Sequence, residues 1–288
     1  MIKASVFGAT GFIGNRYCQM YPDETIGIHK DIICPETDHI LYLISTTHNY
    51  HIYDDPFLDI NTNLSSLMSV LNCMQEIRRF YKHNYIFNFV SSWFVYGQTN
   101  DLPAKENSYC NPKGFYSITK RCAEQLLISY CETFDIPYRI FRLANVYGIG
   151  DKPTAKKNAL QYLIGKLAKN EDVDLYNGGN VIRDYIHVDD VCRALHTLMD
   201  SAPLDYIINV GSGKPYKIGN LIRYAKDRLG SISKIGSIDL SEFHKTIQVK
   251  DMYLDVNLAK RYGMENQISI EQGLDEYIEW LKSNNLYQ

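Results

Sequence analysis

Two residues in the middle of the chain can do chemistry together. Tyr116 and Lys120 open an apolar-periodic segment that runs to about Tyr130. On a helix, their four-residue spacing puts both side chains on one face. An ammonium beside a phenol favours the ionised phenol, whose ordinary pKa is about 10. A tyrosine so poised can take a proton from a hydroxyl, or return one to a carbonyl oxygen, as hydride moves on or off the same carbon. Any helix can carry an exposed aromatic beside a surface lysine, and the chain holds 23 tyrosines. The pair needs a second feature to give it meaning.

That feature lies near the start. Ile2 to Phe7 is a short apolar run, followed by Gly8-Ala9-Thr10-Gly11-Phe12-Ile13-Gly14 and then a helical pattern. A strand, a glycine turn and a helix N-terminus in that order make an anion site. The glycines let backbone approach a pyrophosphate, and the free N–H groups of the first helical turn point at it.

The Gly-x-x-Gly-x-x-Gly spacing with Gly-Phe-Ile-Gly inside it, and the Tyr-x-x-x-Lys pair downstream, resemble the extended short-chain dehydrogenase/reductase family. These are nucleotide-sugar epimerases, dehydratases and reductases, and the resemblance runs across almost the whole chain. It implies an α/β fold: a Rossmann-type doubly wound parallel sheet with a smaller C-terminal α/β substrate lobe. Residues 1–150 would bind the dinucleotide, with 184–210 returning to that domain, and 151–288 would hold the nucleotide sugar.

The strands and helices that must position these residues can be read in order. Glu24 to His29 and His39 to Ser45 read as the second and third strands, with too few residues between them for a crossover helix. The cofactor half is therefore expected to be shortened. Asp31, at the end of the second strand, stands where an acid would hold the adenosine ribose of NAD; His29 and Lys30 could instead face the 2′-phosphate of NADP. Phe57 to Phe80 reads as a long helix with an apolar stripe, and Tyr85 to Val90 as a strand. Ile136 to Leu143 is a further strand and Thr154 to Lys169 a helix. Asp189 and Asp190 read as an N-terminal cap and a first-turn acid for a helix from Val191 to Met199. Tyr206 to Val210 returns to the sheet, Lys217 to Leu229 is helical, Gln248 to Val256 alternates like a strand, and Ile268 to Leu281 is the closing amphipathic helix.

The resemblance also implies roles. Gly8, Thr10, Gly11, Phe12, Ile13, Gly14, Ser45 and Thr46 would run along a cofactor, NADP or NAD. Lys120 would hold its nicotinamide ribose. Ser92 would hydrogen-bond the reacting oxygen and share its proton with Tyr116, although a serine at a strand end is also a common turn residue. Trp93 and Phe94 would shape the sugar pocket. Asn145, which a β-turn would also explain, would contact the sugar nucleotide, and Arg183 its pyrophosphate through a planar guanidinium.

The dehydratases of this type carry Asp-Glu after the serine, an acid and a base for eliminating water, and Trp93 and Phe94 can serve as neither. That argues against dehydration, and the shortened cofactor half with the basic pair His29-Lys30 suggests an exchangeable cofactor, so the chain is expected to be a 4-keto-sugar reductase with Tyr116 as proton donor. The alternatives are a 4-epimerase with tightly retained NAD, or a non-catalytic dinucleotide-binding protein. By the same resemblance, helices 57–80 and 116–134 would form the four-helix bundle of a homodimer.

Composition is that of an ordinary globular protein. The 288 residues are 45% apolar and 22% charged, with a formal charge of −3, which gives no basic footprint for nucleic acid or a membrane surface. No apolar run reaches membrane-spanning length and Met1-Ile2-Lys3 leads straight into a strand, so a cytoplasmic location is expected. The seven cysteines are odd in number and scattered, and read as small hydrophobes in a reducing compartment. Neither they nor the eight histidines show metal-ligand spacing, so no metal is expected.

Overall fold

The apolar run after the N-terminus becomes β1 (Ala4–Phe7), buried at every position because strands lie on both sides of it and helices cover both its faces. The computed structural model describes residues 2–151, 158–239 and 249–284. β1 pairs in parallel with β2 (Thr25–Ile28) and with β3 (His39–Tyr42). Three more parallel strands, β4 (Ile86–Ser92), β5 (Tyr138–Leu143) and β10 (Tyr206–Val210), complete a six-stranded sheet in the order β10-β5-β4-β3-β1-β2.

One face is covered by α1 (Phe12–Met20) and α6 (Val188–Ser201), the other by α3 (Ser66–Phe80) and α4 (Phe115–Thr133). This is the doubly wound arrangement that the family resemblance implies. No helix among the described residues is long and apolar enough to cross a membrane.

The expected shortening is present. The chain passes from β2 to β3 with no helix between them. The buried Ser5 hydroxyl accepts the backbone N–H groups of Glu36 and Thr37, each at 2.9 Å, and so pins the crossing across β1. Cys34 in this crossing is bonded to Cys73 of α3. This corrects the reading of all seven cysteines as simple hydrophobes: residues 39 apart in sequence meet because the missing helix lets the loop reach α3.

A second assembly of elements lies beyond the sheet. β7 (Val173–Tyr176) pairs with β12 (Ile235–Ile238). α5 (Ala159–Ala168), α7 (Ile218–Leu229) and the closing helix Ile270–Ser283 pack around Leu160, Ile164, Ile222, Leu274 and Ile278. Two short strand pairs, β6 (Asn145–Tyr147) with β9 (Tyr185–His187) and β8 (Ile182–Arg183) with β11 (Tyr216–Lys217), link it to the sheet.

Three boundaries differ from the sequence reading. Helix α5 begins at Ala159, where the Asn158 side chain accepts the Leu160 N–H, and Thr154–Lys157 lie outside the described residues. Between Val249 and Val256 the chain makes only isolated bridges, at Met252 and Leu254, and its alternation reflects side chains buried in the sheet's own core; Gln248 is outside the described residues. Helix α6 starts at Val188 and is capped by His187, not by an aspartate. Asp189 pairs instead with Arg16 of α1 at 2.6 Å, and Asp190 with Arg193 and the backbone N–H groups of Gln267 and Ile268.

The placement of α4 depends on a buried ion pair. Glu124 is fully buried and its carboxylate takes two N–H bonds from Arg142 of β5, at 2.9 and 2.8 Å, and the Ser91 hydroxyl of β4 at 2.6 Å. Arg121 adds a further contact at 2.8 Å. With its partners in place Glu124 is held below the usual carboxylate range even though burial acts the other way. Arg142→Met removes the counter-charge and leaves a buried carboxylate. We predict a loss of about 3–5 kcal/mol in urea unfolding; a loss below about 1 kcal/mol would show that the pair does not hold the helix.

Candidate active site

The chemistry-bearing residues arrive from the C-terminal ends of parallel strands, where open α/β sheets form their binding crevice. β1 delivers the glycine turn, the chain after β3 delivers Ser45 and Thr46, β4 delivers Ser92, and α4 brings Tyr116 and Lys120 across the top. Together they line a cleft of about 340 Å³ with Gly8, Gly11, Phe12, Ile13 and Gly14 on its far side.

The turn is shaped to admit a close ligand. Gly8 has φ +87°, and a Cβ on Gly14 would stand 2.2 Å from the Gly8 carbonyl oxygen, so both positions require glycine. Helix α1 has Gly11 at its N-cap, with no side chain capping it and no acid in its first turn. Its first N–H groups and positive dipole end therefore remain available to an anion. These features fit the pyrophosphate of a dinucleotide.

Tyr116 is buried, and burial is the dominant influence on its phenol. It raises the pKa above the ordinary value, while hydrogen bonding to the Ser92 and Ser45 side chains pulls the other way and the Asp59 charge adds to the rise. Burial, not an ionising effect of Lys120, therefore sets the state of the phenol. The Lys120 ammonium donates to the Val90 carbonyl at 2.8 Å and sits 4.3 Å from the Phe89 ring centre. Desolvation lowers its pKa to about 7, only partly offset by Glu124 one helical turn away.

Behind Tyr116 lies a polar network that sequence reasoning missed. A π-helical stretch, Asn61–Ser65, precedes α3 and carries the buried Asn63. Its Oδ1 accepts from the Ser45 hydroxyl at 3.0 Å and the Thr46 N–H at 2.9 Å. Its Nδ2 donates to the Thr46 and Thr119 hydroxyls, at 2.8 and 2.9 Å. Thr46 in turn donates to the buried Asp59 carboxylate. The available signal was two polar residues, Asp59 and Asn63, spaced i,i+4 among the apolar positions of the same helical run.

Other predicted residues fall differently. Thr10 is exposed and is not among the residues that line the cleft. His29, Lys30 and Asp31 leave the sheet just after the Phe7–Ile28 pair, level with Gly8; they are exposed, and His29 and Asp31 pair with each other at 3.3 Å. Trp93, Phe94 and Asn145 line both this cleft and a second cavity of about 410 Å³. Arg183 lines only the second cavity. Its guanidinium donates to the carbonyls of Ile182, Lys250 and Val249 at 2.7, 2.9 and 2.6 Å and lies over the Trp93 ring. Among the described residues no group of three His, Cys, Asp or Glu could hold a metal ion.

A parallel doubly wound sheet with a glycine turn at its switch point, faced by a tyrosine and a lysine, defines a dinucleotide-binding α/β enzyme of the short-chain dehydrogenase/reductase type. More narrowly, the chain belongs to the NAD dependent epimerase/dehydratase family, whose model matches residues 4–211. Among curated proteins it is 28% identical over 232 residues to a putative UDP-glucose 4-epimerase of Methanocaldococcus jannaschii, covering 81% of this chain and 73% of that one.

Among solved structures it resembles the UDP-glucose 4-epimerase of Thermotoga maritima with UDP-glucose. There the TM-score is 0.86 and the identity 20%, with 99% of this chain and 100% of that one covered. It also resembles RMD from Pseudomonas aeruginosa complexed with NADPH, with a TM-score of 0.85, 21% identity, and 98% and 100% covered.

The depressed Lys120 has a measurable consequence. Its folded pKa, about 7, lies below the unfolded 10.5, so between those values the unfolded chain holds more protons and stability rises with pH. We predict that the urea midpoint of the cofactor-free protein climbs from pH 7 to 9, and that Lys120→Met removes the climb while stabilising the protein at pH 7 by roughly 1–3 kcal/mol. A wild-type midpoint that stays flat would contradict the buried, depressed ammonium.

Proposed function

We propose that the protein transfers hydride at C4 of a nucleoside-diphosphate sugar, acting as a 4-keto-sugar reductase. The observation that carries this is the buried phenol of Tyr116, kept protonated by its surroundings and next to Ser92 on the cleft that the glycine turn closes. A protonated phenol is equipped to give a proton to a carbonyl oxygen as negative charge develops on it. When bound, NADPH or NADH supplies the hydride to the carbonyl carbon.

The chain's own residues do the rest. Tyr116 gives its proton to the sugar oxygen and becomes a tyrosinate, which Ser92 stabilises by donating to the phenolate oxygen. The Ser45 hydroxyl, whose proton goes to Asn63, can accept from the protonated phenol and so hold it before transfer. Lys120 serves the nicotinamide ribose side of the cleft. Gly8, Gly11 and Gly14 receive the pyrophosphate at the open N-terminus of α1. The second cavity takes the nucleotide, so residues 1–150 with 184–210 act as the dinucleotide domain and 151–288 as the nucleotide-sugar lobe. Residues 249–264 are an exception in packing, since they share the sheet's core. Exposed His29 and Lys30 favour NADP, and the absence of any acid or base at Trp93 and Phe94 argues against dehydration.

The 4-epimerase is the second reading, and the names of the relatives favour it. It uses the same residues but must keep its dinucleotide through both half-reactions. Exposed Phe57, Ile60, Phe115, Ile118 and Leu126, on and beside the helices that flank the cleft, support a homodimer through that face.

Tyr116→Phe tests the chemistry. We expect kcat to fall by about 10²–10⁴ with nucleotide-sugar binding by calorimetry nearly unchanged; an unchanged kcat would remove Tyr116 from the reaction. Denaturing freshly purified protein and quantifying the released nicotinamide nucleotide separates the two readings. Little or none, with tighter binding of NADPH than NADH, supports the reductase, whereas stoichiometric NAD shifts the assignment to the epimerase.

A further inference from the structure

The stretch that follows β2 has few ties of its own. His29, Lys30, Asp31, Ile32 and Ile33 are all exposed. Among the described residues their hydrogen bonds and ion pairs stay within the stretch. The Ile32 N–H donates to the His29 carbonyl at 2.9 Å, and the Asp31 N–H and carboxylate both meet Nδ1 of His29, at 3.4 and 3.3 Å. The next tie to the body of the molecule is the Cys34–Cys73 bond, and the one after it is the Ser5 hydroxyl that accepts from Glu36 and Thr37.

Cys73 gives the loop a firm anchor. It is buried on α3, whose Leu67, Val70, Leu71 and Met74 share a core with Phe7, Ile28 and Ile40 of the sheet. The loop itself leaves β2 level with Gly8, at the end of the glycine turn where the adenosine half of a dinucleotide lies. With the bond closed, this stretch is held by a strand at one end and a packed helix at the other. With the bond open, its far anchor retreats to Glu36 and its link to α3 is gone.

We propose that Cys34–Cys73 is a thiol-sensitive clamp on the adenosine side of the cofactor site, closed for tight dinucleotide binding and opened by a dithiol reductant. The inference rests on the reading that a dinucleotide occupies the glycine turn. Cys34 is partly exposed where Cys73 is buried, so the attack falls on Cys34. A thiolate of the reductant bonds to the Cys34 sulfur, the Cys34–Cys73 bond breaks, and Cys73 leaves as a thiolate that takes a proton. The reductant's second thiolate then attacks its own sulfur in the mixed disulfide and releases Cys34, which is protonated in turn. Two electrons and two protons pass to the protein, and the dithiol becomes a cyclic disulfide. The freed loop must then be ordered at the expense of binding, which weakens the complex.

The test compares the native protein after oxidised glutathione with the same protein after dithiothreitol, both without denaturant. Peptide mapping is expected to show a Cys34–Cys73 linked peptide in the first and alkylation of both cysteines in the second. Calorimetry should give dissociation constants for NADPH and NADH that are about 3- to 10-fold weaker in the reduced protein. Hydrogen exchange should quicken at residues 29–37 on reduction while β1 keeps its protection. The double variant Cys34→Ser/Cys73→Ser should bind like the reduced protein and ignore dithiothreitol.

Failure of the linked peptide to form, or a bond that dithiothreitol opens only in denaturant, overturns the clamp. Equal constants in the two forms do the same, as does loss of protection throughout β1 and α3, which would mark a general staple of the fold. Should the double variant not fold, the two forms of the native protein still decide. Dinucleotide binding that is indifferent to the bond removes this inference alone, whereas no binding of NADPH or NADH by either form removes the cofactor reading as well.

Discussion

A carboxylate with no access to water, Glu124, is the constraint on which the site depends. Its charge is tolerable only because Arg142 meets it with two parallel hydrogen bonds and Ser91 supplies a third, so helix α4 can dock on β4 and β5 in one position. Lys120 precedes Glu124 by one helical turn and Tyr116 precedes it by two, all on the buried side of the helix. Fixing the rotation and depth of α4 at Glu124 therefore fixes where the phenol enters the cleft. Arg142 carries the constraint further, because it also donates to the Glu106 carbonyl and lies over the Tyr96 ring.

The cleft collects groups whose burial works against folding. Lys120 loses most of its affinity for a proton, Tyr116 resists ionisation, and Asp59 sits in the interior on a hydroxyl from Thr46. The π-helical stretch belongs to the same account. An extra residue in a helical turn shifts the side chains that follow, and here it accompanies an asparagine that meets the chain after β3 on one side and α4 on the other. Local regularity is given up where polar groups must be aimed, as is common around functional sites.

Much of the frame was legible in the residues. The glycine turn and the missing crossover helix follow from spacing, because a strand-turn-helix unit and a short gap each leave few geometries open, and the parallel sheet was implied by the family resemblance that the motifs carry. What stayed hidden depends on long-range contact. The sequence places Tyr116 near Lys120 but does not say that burial outweighs the ammonium. It offers Arg183 as a free guanidinium, yet three carbonyls from separate segments share it. The Cys34–Cys73 bond and the roles of Asp59 and Asn63 were likewise invisible, since each joins parts of the chain that only the fold brings together. His187 as the cap of α6 was missed because an aspartate in a first turn reads like a cap, although here both aspartates are drawn to arginines.

The short crossing between β2 and β3 also shapes how the molecule assembles. The first three strands meet within residues 4–42, joined by one helix and one brief loop, whereas β10 must find β5 across a much longer stretch of chain. Closing about ten residues in place of a crossover of about thirty lowers the entropic cost of loop closure by roughly 1 kcal/mol. Contacts close in sequence form sooner than distant ones. The edge made by β1, β2 and β3 is thus organised to fold ahead of the far side of the sheet, an order that pulse-labelled hydrogen exchange would refute by finding β10 protected before β1. A helix lost between β2 and β3 becomes, in kinetic terms, a head start for the glycine turn after β1.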